Sequence, residues 1–160
     1  MESPVGKKIN SAGMSERKPK NIFQQGAIPA TFIAESIQKH SSQTSIGGHS
    51  IFLGQVRADE TENGKVKSID FTAFEAMALE KMHLIREDIF AKYPLSCMHV
   101  HHSLGEVQAG EICLFVFTSS AHRKAAMDAC EETVERLKAE LPVWGREIME
   151  NESHQWKVNK

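Results

Sequence analysis

Residues 111–118, EICLFVFT, carry an apolar run from Ile112 to Phe117 with no polar residue to break it. A strand points alternate side chains to opposite faces, so a strand without alternation has to be covered on both. This segment is therefore a central strand, and the rest of the chain has to supply the cover. SCMHVHHS, at 96–103, reads as the strand before it, with Gly105 and Gly110 bracketing the turn between them. Immediately afterwards the apolar period changes. Ala126, Cys130, Val134, Leu137 and Leu141 recur at helical spacing, Ser119 or Ser120 supplies a cap, and Pro142 closes the element.

A second helical stripe, Ala78, Met82, Ile85 and Ile89, predicts a helix over 75–92 that ends before Pro94. Met77 and Met82 read as core filler. Phe32, Ile33, Ala34 and Ile37 predict a short helix over 30–40, and the SSQTSIGG segment after it is a loop. HSIFLGQVR (49–57) and VKSIDFTAF (66–74) read as strands. Asn63-Gly64 between them is a turn signal, so the two are expected to form an antiparallel hairpin. The order becomes helix, two strands, helix, two strands, helix and a C-terminal segment with two tryptophans. That order predicts an α+β fold with mostly antiparallel pairing and helices packed on the sheet.

Residues 1–26 have a different composition, rich in Gly, Pro, Ser and Lys. Lys7, Lys8, Arg17, Lys18 and Lys20 outnumber Glu2 and Glu16, which suggests a flexible basic tail ahead of a domain over 27–160. The chain has 160 residues, 41% of them hydrophobic, enough to bury a core without disulfide or metal staples. Nineteen Lys and Arg stand against twenty-one Asp and Glu, a balance that argues against a nucleic-acid binder. No apolar run reaches the roughly 18 residues that span a bilayer, and no signal-peptide core is visible, so a cytoplasmic protein is expected. Cys97, Cys113 and Cys130 are odd in number and widely spaced. Without a C-x-x-C pair they read as reduced thiols packed as small hydrophobes.

Three groups of residues have chemical potential. His99, His101 and His102 lie together. On a strand the first two share a face, where an H-x-H pair can bind zinc or copper, but no third ligand has evident spacing. Exposed or hydrogen-bonded strand histidines, and no metal, are the expectation. A cationic group comprises Arg57, His122, Arg123, Lys124, Lys138, Arg146, Lys157 and Lys160; within it Arg57 ends an apolar strand, and His122-Arg123 open a helix whose free N–H groups favour anions. Lys138 neighbours Val134 and Leu141 on its helix. A half-buried lysine near other cations has a lowered pKa and can serve as acid, base or nucleophile. No Walker A, G-x-G-x-x-G, G-x-S-x-G or H-E-x-x-H motif is present.

FLGQVR (52–57), the Phe74 to Met77 segment, HHSLGEV (101–107), TSSAHRKAA (118–126), LKAELPVWGRE (137–147) and WKVNK (156–160) together resemble the large, catalytic subunit family of molybdopterin synthase. The resemblance covers roughly residues 27–160. It implies an α/β hammerhead fold and a sulfurtransferase without a cofactor. That enzyme converts cyclic pyranopterin monophosphate (precursor Z) to molybdopterin, using the C-terminal thiocarboxylate of a small ubiquitin-like partner. It implies a homodimer of large subunits within a heterotetramer. It also implies roles residue by residue: Lys138 is catalytic, and Arg57, His122 and Arg123 line an anionic-substrate pocket. Phe52 matches a pocket-wall aromatic, Val134 an apolar position, and Lys160 a basic residue near the family's C-terminus. Where many members carry a second lysine after the tryptophan of P-x-W, this chain has Gly145. Arg146 follows and can supply charge, but it cannot replace a lysine in proton transfer. Another family arginine is Ser103 here. A non-catalytic scaffold of the same fold is the alternative reading, and a histidine-based metal binder a third.

Helix geometry adds a separate point. His122 and Lys138 are 16 positions apart on one predicted helix, or roughly 24 Å at 1.5 Å per residue. If both act on one small substrate, one of them comes from a second subunit.

Overall fold

The computed structural model describes residues 20–159. Strand β5, Leu95–Gln108, is the spine of the sheet. Its first half pairs antiparallel with β6, Ile112–Ser120, from Leu95 opposite Ser120 to His102 opposite Leu114. Its last residues pair with β4, Gly64–Ala73, from Gly105 opposite Phe71 to Gln108 opposite Ser68. The exchange of partner falls at Gly105, which takes a φ of 80° that a side chain would resist. Strand β2, Gly48–Gln55, flanks β6 at one edge. Strands β7, Val143–Met149, and β8, His154–Trp156, extend the other, giving the order β2-β6-β5-β4-β7-β8. Short β1, Phe23–Gln25, lies parallel to β5 at His102–Leu104, and the two-residue β3, Glu60–Thr61, pairs with the start of β4.

Three helices provide the cover that the central strand demands. Leu114 and Val116 of β6 face α2, Glu75–Lys92, and α3, Arg123–Glu140, in one core with Met82, Ile85, Ile89, Val134 and Leu137. Phe115 and Phe117, both fully buried, face the other way with Ile28, against Phe32 and Ile33 of α1, Ala30–Lys39. Burying each of these rings contributes about 1.5–3 kcal/mol. A third cluster, Val66, Ile69, Phe71, Val107 and Met149, fills the β4–β7 end. The fold is α+β and mostly antiparallel, as the residue pattern predicts.

Several expectations change. The two strands flanking Asn63-Gly64 are not neighbours: β2 pairs with β6, and the turn at Asn63 joins β4 only to β3. Turn chemistry fixed the reversal, but the apolar β6 took the longer partner. The C-terminal segment is β7 and β8, and Phe23–Gln25, grouped by composition with the tail, is a strand with Ile22 buried beside it. The boundary at residue 26 therefore falls within the fold, while residues 1–19 lie outside the described part. Gly105 sits inside β5 rather than in the turn, which closes at Gly110. Met82 is buried, whereas Met77 is 61% exposed. Ser119 and Ser120 end β6, and His122 occupies the cap of α3. The Ser120 hydroxyl still serves that helix: it accepts the Ala126 N–H at 3.0 Å and donates to the His122 carbonyl.

Candidate functional site

The last turn of α3 carries Lys138, and Pro142 stops the helix four residues later. The chain must then leave as β7. Val143, Trp144 and Gly145 run back past Lys138 and line a pocket with Phe71, His102 and Cys113. Lys157 and Asn159, just beyond β8, complete the wall. The pocket thus lies where the two halves of the sheet meet, under the C-terminal end of α3.

Lys138 is exposed over much of its surface, but the burial of part of its side chain, and then the charge of Lys157, push its pKa below the usual lysine range. Arg57 adds to the lowering, while Cys113 and Glu135 oppose it. The His102 ring lies against Phe23 and Phe71. Its Nδ1 is 2.7 Å from the Ser103 carbonyl, which can only accept. Nδ1 therefore carries the proton, and in the neutral ring Nε2 is the acceptor. Burial holds this ring at a pKa of about 4, against the opposing pull of the Ser103 bond, with Lys138 and Lys157 adding to the lowering. Burial likewise pushes the Cys113 thiol up. The pocket therefore offers a neutral imidazole, a protonated thiol and two lysines, one of which readily gives up its proton.

Gly145 belongs to the same wall. A Cβ there would lie 2.8 Å from Ile69 Cγ2 and 3.2 Å from Phe71 Cε1. The backbone N–H of Lys157 donates to the Gly145 carbonyl at 2.8 Å. Lys157 thus brings an ammonium to the wall beside Gly145. Sequence reading counts Lys157 among the cations and His102 among the strand histidines without bringing either to Lys138, and it passes over Phe71. WKVNK was the available signal for Lys157, whereas nothing local places His102 or Phe71 beside Lys138, which they reach through long-range pairing.

The remaining expected residues divide. Arg57 follows β2, is exposed, and pairs with Asp59 at 3.2 Å, yet its charge reaches Lys138. His122 and Arg123 line a separate shallow depression with Gly47, Ala121 and Lys124 at the opposite end of α3. One chain does not bring them to Lys138. Phe52 packs against the core that includes Leu137, and Val134 is buried within that core rather than lining the pocket. Arg146 points its guanidinium to Asp70 at 3.2 Å. Lys160 lies outside the described residues. Beside the pocket, Phe74 meets the lining residue Trp144 edge to face at 5.0 Å, and both are exposed. Among the histidines, His101 stacks on Phe115 and meets Phe32 edge-on, while His99 approaches His40 at 3.0 Å.

Fold and pocket together define a class: an α+β domain holding a lysine of lowered pKa among further cations, at the seam of a split sheet. The chain belongs to the MoaE protein family, whose profile matches residues 28–140. The molybdopterin synthase catalytic subunit of Pyrococcus abyssi is 36% identical over 120 residues, covering 75% of this chain and 80% of that one. The Bos taurus protein of the same name is 34% identical over 162 residues, covering 98% and 80%. The Drosophila willistoni catalytic subunit is 38% identical over 116 residues, and this chain spans only 31% of its length. In structure, the molybdopterin synthase of Staphylococcus aureus superposes with a TM-score of 0.74 at 28% identity, covering 86% of this chain and 96% of that one. The complex of subunits 1 and 2 of the Helicobacter pylori molybdopterin-converting factor contains the same fold, with a TM-score of 0.73 at 20% identity, covering 86% and 90%.

Proposed function

We propose that this chain is the catalytic subunit of a molybdopterin synthase, a sulfurtransferase that converts precursor Z to molybdopterin. The observation that carries the chemistry is Lys138, whose amine gives up its proton more readily than an ordinary lysine because of partial burial and Lys157. Such an amine takes up and returns protons as sulfur is delivered, or attacks the thiocarboxylate carbon of the partner, forming an amide as the C–S bond breaks and the sulfide leaves for the substrate. Lys157 and Arg57 supply fixed positive charge for an anionic substrate. The exposed Trp144 of the pocket wall and Phe74 against it suit an apolar rim for the small ubiquitin-like partner, whose extended tail has to reach Lys138. The reaction needs no cysteine from this chain, because sulfur arrives on the partner.

His122 and Arg123 join this reading only through a second copy. In the homodimer we propose, at the centre of a heterotetramer, each site combines Lys138 and Arg57 of one chain with His122 and Arg123 of the other. The cytoplasm is the compartment we assign; no described helix is long and apolar enough to cross a membrane.

Reconstitution tests the function. The protein is mixed with thiocarboxylated partner and precursor Z, and molybdopterin is quantified. Wild type is expected to turn over, and Lys138→Ala to lose about 10²–10⁴-fold in rate. Equal activity in both would remove Lys138 from the chemistry. Inactivity of wild type with the partner still bound would favour the scaffold.

A further inference from the structure

On the face of the sheet covered by α1, away from the lysine pocket, three ligand-type side chains converge. His40 caps the C-terminus of α1 and is 8% exposed. Cys97 and His99 are two residues apart on β5 and so share a face. The imidazole nitrogens of His40 and His99 and the Cys97 sulfur all lie within 4.8 Å of one another, the one such grouping among the described residues. We propose that His40, Cys97 and His99 form a binding site for a zinc ion, which clamps the end of α1 to β5.

The hydrogen bonds prepare this set for a cation. His40 Nδ1 lies 2.6 Å from the Ser36 carbonyl one turn earlier, and a carbonyl only accepts. The proton is therefore on Nδ1, and Nε2 presents its lone pair to His99 Nε2, 3.0 Å away. A bond from a ring nitrogen to a carbonyl is how ligating histidines are oriented from behind. Two imidazole nitrogens this close need a proton or a cation between them. A tetrahedral zinc ion with nitrogen and sulfur donors at about 2.0–2.3 Å holds those donors roughly 3.3–3.6 Å apart, so small side-chain movements close the set. The register of β5 against β6 breaks between Leu95 and Cys97, directly beside the cluster, and such a break re-aims a side chain. One thiolate and two imidazoles match zinc in softness, with water as the fourth ligand. The Cys97 thiol gives up its proton to solvent on binding. His101, the partner of His99 by H-x-H spacing, is occupied with Phe32 and Phe115 instead. The ligand that local spacing could not reveal is His40, 59 residues away in sequence.

The test uses the full chain, stripped with chelator and titrated with Co²⁺ and then with Zn²⁺. Wild type is expected to bind one equivalent of Co²⁺ with a thiolate-to-metal charge-transfer band that Zn²⁺ displaces. Zn²⁺ should raise the midpoint of thermal unfolding. Cys97→Ser should lose the band, and His99→Gln should weaken zinc binding by about tenfold or more, since even a supporting residue behind a ligand is worth that much. Both positions are only partly buried, so the folded state of each variant is checked by its unfolding transition without metal. The proposal is overturned if wild type shows no thiolate band, or if Cys97→Ser binds Zn²⁺ as wild type does; the trio is then a hydrogen-bonded histidine pair beside an idle thiol.

Discussion

At Lys138, partial burial and then a neighbouring charge both favour the neutral amine. Burial already disfavours the Lys138 ammonium, and the Lys157 charge disfavours it further. Replacing Lys157 by Met removes the second effect, so Lys138 keeps its proton to higher pH. If Lys138 acts as a base or nucleophile, the acid limb of the kcat/KM profile moves up in pH. If it acts as an acid, the alkaline limb moves up instead. In either role the direction is the same, and Lys157→Arg should leave the limb in place because it restores the charge. A pH–rate profile of the three proteins reads this out directly. A limb that stays fixed in Lys157→Met would mean that Lys138 does not control the observed titration.

At the scale of elements, the β7 strand explains why position 145 carries no side chain. Gly145 pairs with Phe71 of β4, and a Cβ would press on Ile69 and Phe71, both buried in the cluster beneath. Gly145→Ala is therefore expected to destabilise the fold by about 1–3 kcal/mol, the usual cost of overpacking, measured as a lower denaturant midpoint with unchanged slope. An unchanged midpoint would show that Ile69 has room to move. This wall also marks the limit of what the sequence reveals. The stripes at Ala78–Ile89 and Ala126–Leu137 are local periodicities, and both helices formed where those stripes lie. The unalternating β6 was central, since apolarity on two faces permits little else. Pairing was less legible: the Asn63-Gly64 turn has a local signature, but the choice of β6 over β4 as partner of β2 depends on contacts distant in sequence. β7 and β8 were hidden because their pattern mixes Trp144, Gly145, Arg146 and Glu147 without alternation. For the same reason Lys138 could be picked from its helix, whereas His102 and Phe71 could be placed beside it only by the assembled sheet.

At the scale of the molecule, α3 separates two cationic regions. Lys138 closes one end, while His122 and Arg123 stand at the other, beside the start of β2 where Gly48 approaches the Arg123 backbone. β2 is also an edge of the sheet, with Ile51 and Leu53 exposed at 37% and 40%. Edges with free backbone groups and apolar side chains favour being covered, and a second copy of the chain is the occupant the proposed dimer supplies. Complementation tests that arrangement. Lys138→Ala and Arg123→Ala proteins are each expected to be inactive. When equal amounts are unfolded and refolded together, half the dimers combine one chain of each kind. If every site draws Lys138 from one chain and Arg123 from the other, each mixed dimer holds one doubly defective site and one intact site. The mixture should then regain about a quarter of wild-type activity. If instead each chain builds its whole site alone, no intact site can form, and the mixture stays as inactive as its components.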